Sequence, residues 1–160
     1  MREQRGDLFF PPRGTHAICI PTNGNVRAHR AVMGAGVAKE AATRFPLLPA
    51  VLGPLIEKHG NHVHLLTRYD SYACIVLEKD FIPFHVVAFP TKSSWKRPAS
   101  LDLIRRSAEE LRALFTPEDL NRPIVLPRVG CGLGGLAWDT VRPILQETLP
   151  GERYVVLHEE

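Results

Sequence analysis

The stretch that most constrains this chain runs from residue 126 to 136: Leu126-Pro127-Arg128-Val129-Gly130-Cys131-Gly132-Leu133-Gly134-Gly135-Leu136. Ahead of it, Pro123-Ile124-Val125-Leu126 is apolar and β-branched and reads as a short buried strand. Behind it, Val141, Leu145 and Leu149 fall on one stripe of a helix predicted from Trp138 to Leu149. Four glycines within residues 130–135 therefore sit where a strand turns into a helix. Glycine there lets the backbone take positive φ and approach a ligand with no Cβ in the way. Amides freed by such a turn, together with a helix N-terminus, make an anion site. The stretch reads as a phosphate-binding loop, with a tight turn that holds no ligand as the competing reading.

A second turn, Met33-Gly34-Ala35-Gly36, repeats that order. It follows a buried strand, His16-Ala17-Ile18-Cys19-Ile20, ended by Pro21, although a long loop intervenes. It opens a helix predicted from Val37 to Phe45, with Val37, Ala41 and Phe45 as its apolar stripe and Pro46 as its stop. Ligands of open α/β sheets bind beyond the carboxyl ends of the strands. Two such turns at one edge can grip a diphosphate from both sides; two unrelated turns are the alternative. Gly130, Gly132 and Gly135 also match a dinucleotide fingerprint formally, with Glu159 downstream as the acid. A sequence ending at Glu160 leaves no second half for that fold, so the reading is set aside.

At 160 residues the chain fits one domain, 1–160, able to bury ~70% of its unfolded surface. Hydrophobic content of 44% and charge of 23% are those of a soluble globular protein. No apolar run approaches the ~20 residues that span a bilayer, and Met1-Arg2-Glu3-Gln4-Arg5 lacks a signal peptide's apolar core. No membrane association is expected. Three cysteines, Cys19, Cys74 and Cys131, are odd in number and far apart, which argues against disulfides and for a reducing cytoplasm. A net charge of +3 tolerates a nucleic-acid partner without demanding one. The sequence is compatible with a monomer and does not give the oligomeric state.

Between the turns, Leu47 to His59 reads as a helix with Pro54 inside it. His62–Leu66, Tyr72–Leu77 and Phe84–Phe89 read as strands, and Tyr154–Leu157 as the last strand. A loop from Pro90 to Pro98 precedes an amphipathic helix from Ser100 to Phe115, with Ser100 as N-cap and a stripe of Leu101, Ile104, Ala108, Leu111 and Leu114-Phe115. The class is α/β, with helices on both faces of a mixed sheet.

Five motifs in order carry a resemblance over nearly the whole chain. They are Gly6-Asp7-Leu8, Ala17-Ile18-Cys19-Ile20-Pro21-Thr22-Asn23, Met33-Gly34-Ala35-Gly36-Val37-Ala38, Phe89-Pro90-Thr91-Lys92, and Pro127 to Leu136. Together they resemble a macrodomain, of the branch that includes the terminal ADP-ribose–protein glycohydrolases and the antitoxins that strip ADP-ribose from thymidine in DNA. The resemblance implies a three-layer α/β/α macrodomain with a central mixed β-sheet. It implies ADP-ribose as ligand or product and ADP-ribosylated DNA or protein as partner, with no cofactor.

Residue by residue, the resemblance gives Asp7 to the adenine amino group; by itself Asp7 reads as a turn aspartate. Asn23 would orient the distal ribose, and Asn25 can substitute because the following loop is long. Gly34, Ala35, Gly36 and Val37 match the first diphosphate loop, and Gly130, Cys131, Gly132, Leu133 and Gly134 the second. Lys92 is the residue expected to carry the chemistry, although by composition a lysine at a strand end is a solvated charge. An ammonium there can stabilise leaving-group charge; a desolvated, neutral amine can attack the anomeric carbon. The protein-directed enzymes continue the glycine loop with an aspartate, and Gly134 stands in that place. The Gly-Leu-Gly-Gly-Leu form instead resembles that of the DNA-directed antitoxins, as does Phe-Pro-Thr-Lys, which leaves the covalent step open. Asp139 is the nearest carboxylate in sequence and reads as a helix N-terminal charge.

Trp95, Lys96 and Arg97 follow Lys92, and an exposed aromatic beside cations can stack a base and hold phosphates. Packing of Trp95 on the next helix is the alternative. Arg27, His29 and Arg30 in the long first loop can extend a basic rim. His62 and His64 share a strand face without a Cys, Asp or Glu at ligand spacing, so no metal is expected. Cys131 reads as a small buried thiol, since no base neighbours it. The expected function is removal of mono-ADP-ribose from a macromolecule, with thymidine-linked ADP-ribose on DNA favoured over ester-linked ADP-ribose on protein. A reader that binds ADP-ribose without cleaving it is the rival.

Overall fold

The computed structural model describes residues 1–67, 84–116 and 122–159; the strand expected at Tyr72–Leu77 lies outside them. The elements, in order, are β1 (Arg2–Arg5), β2 (Ala17–Thr22), β3 (Val26–Arg27), β4 (Arg30–Ala31), α1 (Gly36–Arg44), α2 (Leu48–His59), β5 (His64–Leu65), β6 (His85–Pro90), α3 (Leu101–Leu114), β7 (Ile124–Pro127), α4 (Trp138–Thr148) and β8 (Tyr154–His158). Six strands form one sheet in the order β1-β8-β7-β2-β6-β5, and β3 pairs with β4 apart from it. All sheet neighbours are parallel except β5, which runs antiparallel to β6. The sheet is therefore mixed, as expected.

Strand periodicity divides the core into two layers. Ile18, Ile20, Val86, Ala88, Val125 and Val155 face Ala41 of α1 and Leu48, Leu52 and Ile56 of α2. Their neighbours Ala17, Cys19, Val87, Phe89, Ile124, Leu126 and Val156 face Ile104, Ala108 and Leu111 of α3 and Val141 and Leu145 of α4. Central strands buried on both faces explain why they read as unbroken apolar runs. Ile18, Ile104, Leu126 and Leu145 are fully buried, and each contributes roughly 1.5–3 kcal/mol through burial. The result is an α/β/α sandwich.

The helices start and stop within a residue or so of their sequence signals. Ser100 caps α3, its side chain accepting from the Leu103 amide at 3.2 Å. Pro54 stands inside α2 on its exposed side, and the helix continues through it. Three elements depart from expectation, among them the strand expected at His62–Leu66, of which only β5 forms. The arginine-rich start is an edge strand, β1, paired in parallel with β8. It is fastened by Glu3, which accepts from Trp138 Nε1 at 2.8 Å and lies 3.0 Å from Arg142 Nε. The long loop after β2 contains the β3–β4 hairpin. Among the described residues no helix is long and apolar enough to cross a membrane.

Candidate functional site

The parallel strands deliver their chain continuations to one edge. Thr22 and Pro90 end β2 and β6 side by side, and the amide of Thr91 donates to the Thr22 carbonyl at 2.9 Å. Asn23 and Lys92 thus leave adjacent strand ends. On the other side of β2, β7 releases the glycine turn at Arg128. Asp7 follows β1 at the same edge. The sequence-predicted site residues therefore share the carboxyl edge of the sheet, where open α/β sheets bind ligands.

The two glycine turns meet across that edge. A Cβ on Gly36 would lie 3.4 Å from Cδ1 of Leu133. Gly36 (φ +59°), Gly130 (φ +76°) and Gly135 (φ +80°) occupy left-handed backbone that favours glycine. Helix α1 begins without a side-chain cap at Ala35 and without an acid in its first turn, so its N-terminal amides and dipole stay available to an anion. Opposite, the amides of Gly132, Leu133 and Gly134 donate to no backbone carbonyl among the described residues. Gly34, Ala35, Gly36, Gly132 and Leu133 are exposed, Val37 half-buried, and Gly130 and Gly134 buried. Such an arrangement can surround a diphosphate with backbone donors.

Lys92 is half-buried, and its Nζ reaches the carbonyl of Leu133 at 3.5 Å, a long hydrogen bond. Its own carbonyl accepts from Asn61 Nδ2 at 3.0 Å, and Arg106 donates in turn to the Asn61 carbonyl. Asn61 was not singled out from sequence; it acts across the fold on a residue 31 positions away, which local patterning does not register. Asn23 donates from Nδ2 to the Val32 carbonyl at 3.0 Å and accepts from the Asn25 amide at 2.9 Å. Asn25 accepts from the Trp95 amide at 2.8 Å, joining the loop after β2 to the loop after β6. The Trp95 side chain is exposed rather than packed on α3, with Lys96 Nζ 5.5 Å from its ring centre. Lys96 and Arg97 are exposed beside it.

Other readings are refined. Asp7 accepts from the Phe9 amide at 2.9 Å, a turn contact. Asp139 is exposed in the first turn of α4, 3.6 Å from Arg142. Cys131 is half-buried, not buried; desolvation raises its pKa, with Arg128 opposing, so it stays a thiol. His62 precedes β5 instead of sharing a strand face with His64, and it meets Glu110 of α3 at 2.7 Å, a partner remote in sequence. Among the described residues no three His, Cys, Asp or Glu side chains cluster as a metal site.

No protein-family model matches the chain. It is 29% identical over 150 residues to a DNA ADP-ribosyl glycohydrolase of Thermus aquaticus, covering 93% of this chain and 38% of that protein. The chain therefore spans well under half the length of that relative. It is 24% identical over 144 residues to an ADP-ribose glycohydrolase of Bos taurus, covering 89% of this chain and 80% of that protein. A solved structure of Thermosipho africanus DarTG in complex with ADP-ribose superposes with a TM-score of 0.73 at 25% identity, over 96% of this chain and 40% of that one. With the paired glycine turns at the carboxyl edge of a mixed sheet, these likenesses make the chain a macrodomain, of the branch that holds the DNA ADP-ribosyl glycohydrolases and the ADP-ribose glycohydrolase.

Proposed function

We propose that this chain is a mono-ADP-ribosyl hydrolase that removes ADP-ribose from a macromolecule, with thymidine-linked ADP-ribose on DNA as the favoured substrate. Ester-linked ADP-ribose on protein Glu or Asp is the alternative. The observation that carries the reading is the 3.5 Å approach of Lys92 Nζ to the Leu133 carbonyl, which sets an amine where the two glycine turns meet the end of β2. In this reading Asp7 receives the adenine, and the amides of Gly34–Val37 and Gly130–Gly134 hold the diphosphate. Asn23, with one Nδ2 hydrogen left over from Val32, orients the distal ribose, and Asn25 holds the mouth of the cleft.

Lys92 then stands beside the anomeric carbon. Water adds to that carbon as the bond to the leaving group breaks, the proton that the water loses ends on the departing atom, and the ammonium offsets the charge that develops there. The activities of the relatives support the reaction class, and the exposed Trp95, Lys96 and Arg97 support a nucleic-acid leaving group. A reader that binds ADP-ribose without turnover is the second reading, favoured by Gly134, which supplies no carboxylate. Turnover of ADP-ribosylated thymidine DNA and ADP-ribosylated glutamate protein separates these, wild type against Lys92→Ala. Loss of DNA cleavage in the variant, with ADP-ribose still bound, is the expected result. Binding without cleavage of either substrate in the wild type would make the chain a reader.

A further inference from the structure

The β3–β4 hairpin combines two locally unfavourable features. Arg27 and Arg30 are direct cross-strand partners, so their side chains leave the same face roughly 5 Å apart at Cβ. Like charges in that position repel each other. Both are exposed, and neither pairs with an acid among the described residues. The turn between them, Ala28 (φ 51°) and His29 (φ 63°), takes left-handed backbone at both positions, where Asn-Gly is the usual choice.

The rest of the fold holds the hairpin in this state. Gly53 of α2 lets the helix backbone touch the turn; a Cβ there would overlap the His29 carbonyl. Glu57 of α2 reaches His29 Nδ1 at 3.0 Å. At the hairpin's base Val32 is gripped twice, its carbonyl by Asn23 and its amide by the Asn25 carbonyl at 3.0 Å. Asn25 in turn binds the amide of Trp95. A repelling cation pair on a strained turn, rigidly tied to the Lys92–Trp95 loop, is preorganised for a group that relieves the repulsion.

We propose that Arg27 and Arg30 form a phosphate clamp for the backbone of single-stranded nucleic acid next to the modified nucleotide. This rests on the reading above that the macromolecular substrate is nucleic acid. The pair then sets affinity for the polymer and leaves affinity for ADP-ribose to the glycine turns.

The test is binding of an unmodified oligothymidylate by fluorescence anisotropy over a salt series, with ADP-ribose binding as the fold control. Wild type is compared with Arg27→Gln/Arg30→Gln and with Arg27→Lys/Arg30→Lys. Each lost phosphate contact flattens the log Kd against log salt slope by about 0.7, so the Gln pair is expected to lose about 1.4. The Lys pair keeps most of the slope. An unchanged slope in the Gln pair, with ADP-ribose still bound, overturns the proposal. So does a wild type that ignores the oligonucleotide, or one in which a polyglutamate peptide binds instead. Should the Gln pair lose ADP-ribose binding, the single Arg27→Gln decides, with an expected change of about 0.7. Oligonucleotide binding with the expected slopes but no hydrolysis of any conjugate would leave the clamp standing and sink the hydrolase reading. Hydrolysis of DNA conjugates with unchanged slopes would do the reverse.

Discussion

The amide of Ala99 donates to the carbonyl of Gly134 at 3.0 Å, and a Cβ on Gly134 would stand 2.8 Å from the Cβ of Ala99. The loop that carries Lys92 and the second glycine turn are therefore one packed unit. The same Cβ would also lie 2.5 Å from the Gly130 carbonyl oxygen, a backbone atom that has no rotamer to yield. Gly134 is a packing requirement of this turn, beyond any preference for an aspartate or its absence.

Gly134→Asp is accordingly expected to damage the site instead of supplying a carboxylate to Lys92. Overpacking of this kind costs about 1–3 kcal/mol, a fall in Tm on the order of 5 °C for a chain of this length. ADP-ribose affinity falls with it, because the displaced amides belong to the turn. Calorimetry and thermal melting read both. An unchanged Tm with faster turnover would show that the turn relaxes and that the packing argument is wrong.

Asn61 is expected to act on rate more than on binding. Asn61→Ala removes the donor to the Lys92 carbonyl, leaving a part-buried acceptor unsatisfied at a cost of about 1–3 kcal/mol. The Lys92 backbone then keeps only the long bond from its amide to the Thr22 carbonyl, at 3.4 Å, while the glycine turns keep all of theirs. The expected signature is a kcat reduced roughly tenfold with little change in ADP-ribose affinity. An equal loss of both would make Asn61 a general stability residue.

These residues also mark what a sequence can and cannot disclose. The strand–turn–helix units around Gly36 and Gly130 were legible because buried parallel strands give unbroken apolar runs and left-handed turns select glycine. Edge strand β1 was not, since only one of its four residues is even half-buried and its pairing partner, β8, lies at the far end of the chain. The β3–β4 hairpin was hidden for a different reason. Its turn residues, Ala28 and His29, carry no turn signal, and its conformation is imposed by Gly53 and Glu57 from α2. Lys92 and Asn23 were found through resemblance; their shared edge follows from β2 and β6 being neighbours, which is a property of topology.

Gly53 offers a sign test of that tertiary control. In a solvent-facing helix, Gly→Ala stabilises by roughly 0.5–1 kcal/mol. Here a Cβ would come 2.6 Å from the His29 carbonyl carbon and 2.8 Å from the Arg30 Cα, both backbone. Gly53→Ala is expected to destabilise by about 1–3 kcal/mol and to release the hairpin. Hydrogen exchange at the Val32 amide, now bonded to the Asn25 carbonyl, should accelerate. A stabilised variant with a protected Val32 amide would mean that α2 does not press on the turn.

His64 predicts a loss of stability on the acid side of neutrality. Burial holds its pKa below the usual histidine value, and His59 and His62 add to the effect, while the Gly60 carbonyl at 2.9 Å and Glu110 oppose it. The unfolded chain titrates near 6.5, above the folded value, so between the two the unfolded state binds more protons. Stability is then full above about 6.5, falls as pH drops through that window, and levels off once the folded state is protonated as well. His64→Gln keeps a donor for the Gly60 carbonyl and removes the titration. Denaturant unfolding at pH 7.5 and pH 5 should show a smaller difference in the variant than in the wild type. Equal differences would assign the acid sensitivity to other groups, and a larger one in the variant would reverse the sign argued for His64.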